Sequence, residues 1–347
     1  MDAQEQATGA LRRVAYLLER TREPTYRVRA FRTAAATLDD LTPAEVEQRA
    51  TAGTLKELSG IGDVTAKVVT QAVAGQVPDY LAKLEAEAEV PLATGGDDLR
   101  ALLRGDLHMH SDWSDGGSPI REMVLAARDI GHQYVALTDH SPRLTVANGL
   151  SAERLRQQLD IVEALNEELA PFRVLTGIEV DINEDGSLDQ EAELLERLDV
   201  VVASVHSKLR MPASSMTPRM VAAIANPAVD VLGHCTGRMG MSRGGGEGRG
   251  RPESEFDAEI VFEACRQFGV AVEVNCRPER RDPPRQLIEL AVSTGCLFSI
   301  DTDAHAPGQL EWQEYGCARA VESGVDPDQV IDTWPLDDLL AHGHRQR

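Results

Sequence analysis

Seven short β-branched runs, each followed by a stretch of helical character, constrain this chain more than any other feature. They are Gly105–His110, Tyr134–His140, Val174–Asp181, Val200–His206, Val229–His234, Val270–Asn275 and Leu297–His305. Strands alternating with helices predict parallel βαβ units, hence an α/β fold, either a barrel or a doubly wound sheet. The runs close in His108-x-His110, Thr138-Asp139-His140, Gly177-x-Glu179, Ser204-x-His206, Gly233-His234, Glu273-x-Asn275 and Asp301-x-Asp303-x-His305. In a (β/α) barrel the active site lies at the C-terminal ends of the strands. Six of the nine histidines fall there. Of the others, His132 lies between motifs, and His342 and His344 belong to the tail "DDLLAHGHRQR", read as a solvated end.

The spacing suits metal binding. Residues i and i+2 of a strand point to one face, so His108 and His110 can grip one ion together, and Asp303 with His305 likewise. Imidazole and carboxylate suit zinc, manganese or iron. The five cysteines are scattered without a C-x-x-C pair, so no thiolate site competes. The six histidines with Asp115, Glu179 and Asp303 make nine ligands. That is too many for one ion, and enough for two or three that keep positions open to water. A lone histidine at a strand end is usually an ordinary satisfied polar residue. Six in order resist that explanation, because buried imidazoles and carboxylates need partners.

Residues 8–86 read differently, as short helices, and 87–104, with a proline and a glycine pair, as a linker leading to a docking helix. The expected organisation is a small all-α domain over 1–86, the linker, and the α/β domain over 105–347. The net charge of -22 argues against nucleic acid binding over the whole surface. Its distribution is uneven: residues 1–100 hold 12 Lys+Arg and 16 Asp+Glu, and the remainder 23 and 41. Ala10–Thr33 carries seven arginines against two glutamates, the only basic zone. The glycine-rich stretch Gly237–Glu255 is read as a mobile flap. No run is long and apolar enough to span a membrane. The start "MDAQEQATGALRR" lacks a secretory pattern. With reduced, scattered thiols, these features predict a cytoplasmic protein.

The segments "GDLHMHSDWSDG", "ALTDHS", "GIEVDI", "ASVHS", "LGHCTGR", "VEVN" and "DTDAH" resemble, in this order, the PHP family, named for polymerase and histidinol phosphatase. The resemblance covers residues 105 to about 322. It implies a distorted seven-stranded (β/α) barrel holding three divalent ions, zinc and/or manganese, with iron a further choice. It implies one ion on His108, His110, Glu179 and Asp303. A second would share Glu179 and take His206 and His234, and a third would take Asp115, His140 and His305.

"LKELSGIGDVTAKVV" resembles a helix-hairpin-helix, in which Gly60, Ile61 and Gly62 bring backbone N–H groups to a phosphate at the start of a helix. "YRVRAFRTAA" resembles the segment preceding that hairpin in bacterial family-X DNA polymerases, and its Arg27, Arg29 and Arg32 would add positive charge near a DNA phosphate held by the hairpin. Those enzymes also carry a PHP domain. About 40 residues separate the hairpin from the PHP start, too few for a polymerase core, so nucleotide addition is not implied.

The expected chemistry is phosphoester hydrolysis by a metal-bridging hydroxide at Glu179. Arg238 and Arg280 are candidates to bind phosphate. Asp139 is either an orienter of an imidazole or a plain structural aspartate. Three readings compete: a phosphoesterase acting on DNA 3′ ends or nucleotides, an exonuclease or 3′-phosphatase; a small-molecule phosphomonoesterase of the histidinol-phosphatase kind; and a non-catalytic DNA- or partner-binding module.

Overall fold

A computed structural model of the chain describes residues 1–240 and 250–342. The chain forms two compact units, Met1–Leu92 and Ala93–Arg347. The division falls inside the stretch read as a linker, and residues beyond it are already part of the second unit.

The first unit is all helical: α1 (Ala3–Arg20), α2 (Thr25–Asp39), α3 (Pro43–Ala52), α4 (Asp63–Val73) and α5 (Asp79–Ala88). Asp2 and Glu5 start α1 with a reciprocal capping box, which satisfies two otherwise orphaned N–H groups. The helical stripe of α1 buries Leu11, Val14, Leu17 and Leu18 completely or nearly so. Around it pack α2, α3, α4 and α5. Between α3 and α4, residues Leu55–Glu57 form one 3₁₀ turn, and the chain then bends at Gly60. Gly60 has φ +84°, and a Cβ there would meet the Thr33 methyl at 2.7 Å. Both constraints demand glycine.

The second unit opens with α6 (Asp97–Leu102), packed on α13 (Gln313–Glu322). Seven parallel strands follow: β1 (Gly105–Met109), β2 (Tyr134–Leu137), β3 (Arg173–Asp181), β4 (Val200–Ser204), β5 (Val231–Leu232), β6 (Ala271–Glu273) and β7 (Phe298–Ser299). They pair in sequence order, β1 to β7. The helices between them are α7 (Ile120–Asp129), α8 (Ala152–Leu169), α9 (Ala192–Leu195), α10 (Ala213–Ile224), α11 (Ala258–Phe268) and α12 (Arg285–Thr294), and α14 (Leu336–His342) ends the described chain. This is the distorted seven-stranded (β/α) barrel. One core cluster joins Leu107, Tyr134, Ala136, Leu175, Val202, Val231 and Ala271. A second fills the space between β1–β3 and the helices α7 and α8, with Met109, Met123, Val135, Val162 and Val174.

No ladder joins β7 to β1 among the described residues. Buried carboxylates bridge that seam. Asp301 accepts the Leu107 N–H at 2.7 Å, Asp106 accepts the Thr302 hydroxyl at 2.5 Å, and the His110 N–H reaches the Ala304 carbonyl at 2.8 Å. Asp301 and Asp106 replace ladder partners the short β7 does not supply. Burial, with its neighbour Asp301 second, pushes Asp106 up to about 8.

Several strands stop short of the expected runs. β7 is two residues rather than a run to His305, because the backbone beyond Ser299 turns to these side-chain partners and reaches φ +51° at Asp303. The tail is not a solvated end up to residue 342. Leu339 joins the cluster around Tyr134, and the His342 ring lies 3.0 Å from the Gly269 carbonyl and against Trp334. His344 lies outside the described residues, as does 241–249 of the stretch read as a flap. The stems of that stretch pair at Met239 and Arg251.

Candidate metal centre

The strand ends deliver their polar side chains to one place, and Glu179 of β3 is its hub. One carboxylate oxygen, Oε2, lies 3.4 Å from His108 Nε2, 3.5 Å from His110 Nε2 and 2.8 Å from His140 Nδ1. The other, Oε1, lies 2.8 Å from His234 Nε2 and 3.2 Å from His206 Nε2. His110 Nε2 also stands 3.5 Å from Asp303 Oδ1. Asp115, on the loop after β1, is 3.4 Å from His140 Nε2 and 3.2 Å from His305 Nε2. All nine residues singled out in the sequence therefore converge. Three groups have ligand atoms close enough to share an ion: His110, Asp115, His140 and His305; His108, His110 and Glu179; and His140, Glu179 and His206. His110 thus stands in two groups, and His140 faces Glu179 as well as Asp115.

The arrangement is unsatisfied in a way that points to cations. The Nε2 atoms of His108 and His110 face each other at 3.2 Å. Among the described residues, both ring nitrogens of His206 and Nδ1 of His110 and His234 are buried without a well-aligned hydrogen bond, and His140 Nδ1 and Glu179 Oε2, though 2.8 Å apart, are not aligned for one. Buried polar groups of this kind are costly unless something pairs them. Nitrogen and carboxylate donors without thiolate are the set that zinc, manganese or iron accept, so the residues fit divalent ions.

Electrostatics agree. Burial would raise the Glu179 carboxyl, but the facing His206, His140 and His108 outweigh it and hold it well below the usual carboxylate range. Burial would likewise raise Asp303, and Arg277 and Arg280 hold it down. His140 rises to about 10: burial opposes the charged ring, and Glu179 and Asp115 prevail. His234 drops to about 4 through burial and the charge of Arg280.

A second layer of contacts fixes the ligands. Glu273 of β6 holds His108 Nδ1 at 2.5 Å and accepts the His234 N–H. Asp181 stands 3.4 Å from His206 Nδ1. Asn275 donates to Asp303 at 3.2 Å, and Arg280 Nε donates to the same carboxylate at 3.0 Å. Arg277 donates to the Asp303 carbonyl at 3.0 Å and lies 2.9 Å from His305 Nδ1. These bonds secure Asp303 in its left-handed conformation, which a non-glycine residue holds only when its surroundings impose it.

The other expected roles divide. Arg280 is no exposed ion pair; it is buried on Asp303. Arg238 instead pairs with Glu253 at 3.1 Å, and no contact joins it to the nine ligands among the described residues. Asp139 orients no imidazole. It accepts from Ser111 N–H and hydroxyl, from Ser114 and from Gln158, and so ties down the loop that carries Asp115. Glu273, Asp181 and Arg277 had no role assigned from sequence. Asp181 repeats the i, i+2 spacing from Glu179 on β3, and Glu273 ends a strand run, so both carried a signal. Arg277 lies in an irregular loop that offers none.

In the helical unit the hairpin's glycines sit as the sequence suggested, but the arginines do not all face outward. Arg32 holds Glu19 through Nε at 3.0 Å and Nη2 at 2.9 Å, partly buried. Arg27 bonds Glu23 and, at 2.6 Å, the Tyr80 hydroxyl. Neither is free to meet a phosphate as expected. Arg29 is exposed and lines a cavity of about 390 Å³ with Tyr26, Thr33 and Gly60. The Gly62 N–H is taken by Thr65 at 2.9 Å, and Asp63 is paired with Lys56 at 2.7 Å.

A barrel that brings imidazoles and carboxylates from successive strand ends around one glutamate defines a metal-binding hydrolase of the (β/α) class. Residues 106–277 match the model of the PHP domain and residues 2–77 that of a helix-hairpin-helix domain. The chain thus carries a PHP domain preceded by a helix-hairpin-helix domain. It is 39% identical over 239 residues to the DNA polymerase/3′-5′ exonuclease PolX of Bacillus subtilis, matching 69% of this chain but only 40% of that relative's length. A probable phosphatase of Thermoanaerobacter sp. is 27% identical over 66% of this chain and 89% of its own length. A crystal structure of histidinol phosphate phosphatase from Lactococcus lactis, complexed with zinc, L-histidinol and phosphate, overlaps 64% of this chain and 94% of its own at 17% identity and TM-score 0.46. No helix among the described residues is long and apolar enough to cross a membrane.

Proposed function

We propose that the chain hydrolyses phosphate esters at the ends of DNA strands or on nucleotides, as a 3′-5′ exonuclease or 3′-phosphatase. The observation that carries the reading is Glu179, buried, with imidazoles facing both of its oxygens. These residues would hold up to three divalent ions, which would supply Lewis acidity to phosphoryl oxygens and lower the pKa of water. His108, His110, Glu179 and Asp303 would hold one ion; Glu179, His206 and His234 a second; and Asp115, His140 and His305 a third. Arg280 and Arg277, anchored through Asp303, place positive charge beside the site, where charge develops on a phosphoryl group. Glu273 fixes the His108 ring so that Nε2 faces the centre. The helix-hairpin-helix unit would bring the strand, with Arg29 and the Gly60–Gly62 turn at its surface. The likeness to PolX, a DNA polymerase/3′-5′ exonuclease, supports this reading.

The second reading, a small-molecule phosphomonoesterase, is favoured by the excess of 41 acidic over 23 basic residues beyond residue 100, which repels a polyanion. It draws support also from the probable phosphatases, which the barrel alone nearly spans. Hydrolysis of a 3′-labelled oligonucleotide and of p-nitrophenyl phosphate, with Zn²⁺ or Mn²⁺ added back to chelated protein, separates them. Turnover of the monoester alone would reject the nucleic-acid reading.

A further inference from the structure

The loop after β6 faces two ways. Arg277 and Arg280 reach the metal-ligand cluster, whereas Arg281, the next residue, does not. It adopts φ +50°, a conformation rare for a side chain of its size, and is exposed. Its guanidinium lines a cavity of about 260 Å³ with Arg238, Arg285 and Arg319, and with Pro284, Glu322 and Ser323. The volume is several times the roughly 30 Å³ that one water occupies in the liquid. Four guanidiniums thus line one cavity in a part of the chain where acidic residues outnumber basic ones 41 to 23.

The local ion pairs do not neutralise it. Arg285 pairs with Glu289 and Glu322, each at 2.7 Å, and Arg238 with Glu253 at 3.1 Å. Arg319 binds only neutral carbonyls, those of Asn275 at 3.0 Å and of Pro283. The Arg281 N–H bonds the Arg277 carbonyl at 3.1 Å, and its guanidinium has no hydrogen-bond or ion-pair partner among the described residues. Burial, with the like charges of Arg281 and Arg238 contributing, lowers Arg319 to about 10. Two arginines therefore line the cavity without a carboxylate of their own among the described residues. Planar guanidiniums at such a site suit the oxygens of a phosphate.

We propose that this arginine-lined cavity holds a second phosphate group of the substrate, one not at the metal-ligand cluster. The inference rests on the nucleic-acid reading above and sharpens it: the preferred substrate carries at least two phosphates, as a strand does, and an isolated phosphomonoester uses only one of the two places. Arg280 and Arg281 are consecutive, with Cα atoms about 3.8 Å apart, so one loop serves both places.

Two measurements test this on the intact, metal-loaded protein. Arg281→Gly removes the guanidinium and suits the positive φ, so the loop conformation is retained; Arg281→Lys keeps the charge. We expect Arg281→Gly to raise KM for an oligonucleotide about tenfold, a loss typical of one charge-assisted contact. Its kcat/KM for p-nitrophenyl phosphate stays within about twofold of the parent, and Arg281→Lys restores most of the loss. An unchanged oligonucleotide KM, or an equal loss on both substrates, overturns the proposal. The second measurement needs no turnover. Phenylglyoxal labelling of Arg281, followed by mass spectrometry, is expected to slow in inorganic phosphate while the exposed Arg266 reacts as before. Equal labelling of Arg281 with and without phosphate overturns the cavity as a phosphate site. If oligonucleotides are not cleaved at all but phosphate protects Arg281, the functional reading fails and the cavity stands as a phosphate site.

Discussion

Arg32 of the helical unit and His206 of the barrel both came from sequence as candidates to meet a ligand, and their surroundings separate them. Arg32 has a bidentate partner in Glu19, most of it out of water. His206 is buried with both ring nitrogens unpartnered by hydrogen bonds among the described residues, and a glutamate oxygen 3.2 Å away. A charged group whose valence is filled inside the chain is holding the fold together. A cluster whose valences are left open at a point of convergence is built to receive something. By that criterion the barrel rim is a binding centre and the buried part of the basic N-terminal zone is scaffold; of Arg27, Arg29 and Arg32, Arg29 alone is exposed without an ion pair among the described residues, and the Ile61 and Gly62 N–H groups are already bonded.

The largest expected effect falls on the hub. Replacing Glu179 by Gln leaves an amide that can bridge imidazoles but not two cations, and phosphoester hydrolysis should fall about 10³-fold while the far-ultraviolet spectrum is kept. A Glu179→Gln protein that retains its metal and its rate would erase the contrast between the two regions. Next in size, Arg32→Ala removes the bidentate partner of the buried Glu19 carboxylate and should cost about 3 kcal/mol in urea unfolding of the helical unit, with barrel activity unaffected. A change below about 0.5 kcal/mol would return Arg32 to the surface and to DNA.

Glu273 tests the layer behind the ligands. Glu273→Gln should weaken metal binding by about 10- to 100-fold, read by competition with a chromogenic chelator. No change would mean that His108 orients itself.

Much of this was legible before any coordinates. The i, i+2 pair at the end of β1 follows from alternation, which left barrel and doubly wound sheet open; the resemblance to PHP domains chose the barrel, and with it one rim for the nine ligands, although Asp303 and His305 lie in a loop past the two-residue β7. What could not be read was which arginines were already spoken for. Arg27, Arg29 and Arg32 look alike in sequence, and only the packing of α1, α2 and α5 decides that Glu19, Glu23 and Tyr80 meet two of them. Arg277 and Arg281 sit in a loop without periodicity, where side-chain direction follows from φ values that no pattern announces. The carboxylate seam was equally hidden, since Asp301 and Asp106 resemble further ligands until the backbone donors they accept are seen.

A smaller effect concerns His132, buried with neither ring nitrogen hydrogen-bonded among the described residues. Burial, then the charge of Arg100, lowers it to about 3. A histidine with a folded pKa below its unfolded value adds its stability above about pH 6.5 and loses it as pH falls toward 3. His132→Leu should therefore match the parent's pH slope above pH 7 and outlast it on acidification, by about 2–3 kcal/mol at pH 4.5. Parallel slopes across that window would place the ring in contact with water. The smallest effect belongs to the helical unit's surface: Arg29→Glu should weaken oligonucleotide binding and lower its salt slope by about one phosphate. An identical slope would leave the hairpin a scaffold and give the lead to the small-molecule reading.

The sequential strand order has a consequence for how the protein is made. The first ligands to leave the ribosome, His108 and His110, come from β1, and their partners Asp303 and His305 come from the loop after β7, almost two hundred residues later. A nascent chain cannot finish the His110, Asp115, His140 and His305 group until nearly the whole barrel has been synthesised. That group therefore forms only once residue 305 has been made, whereas the His108, His110 and Glu179 group and the His140, Glu179 and His206 group need nothing beyond residue 206.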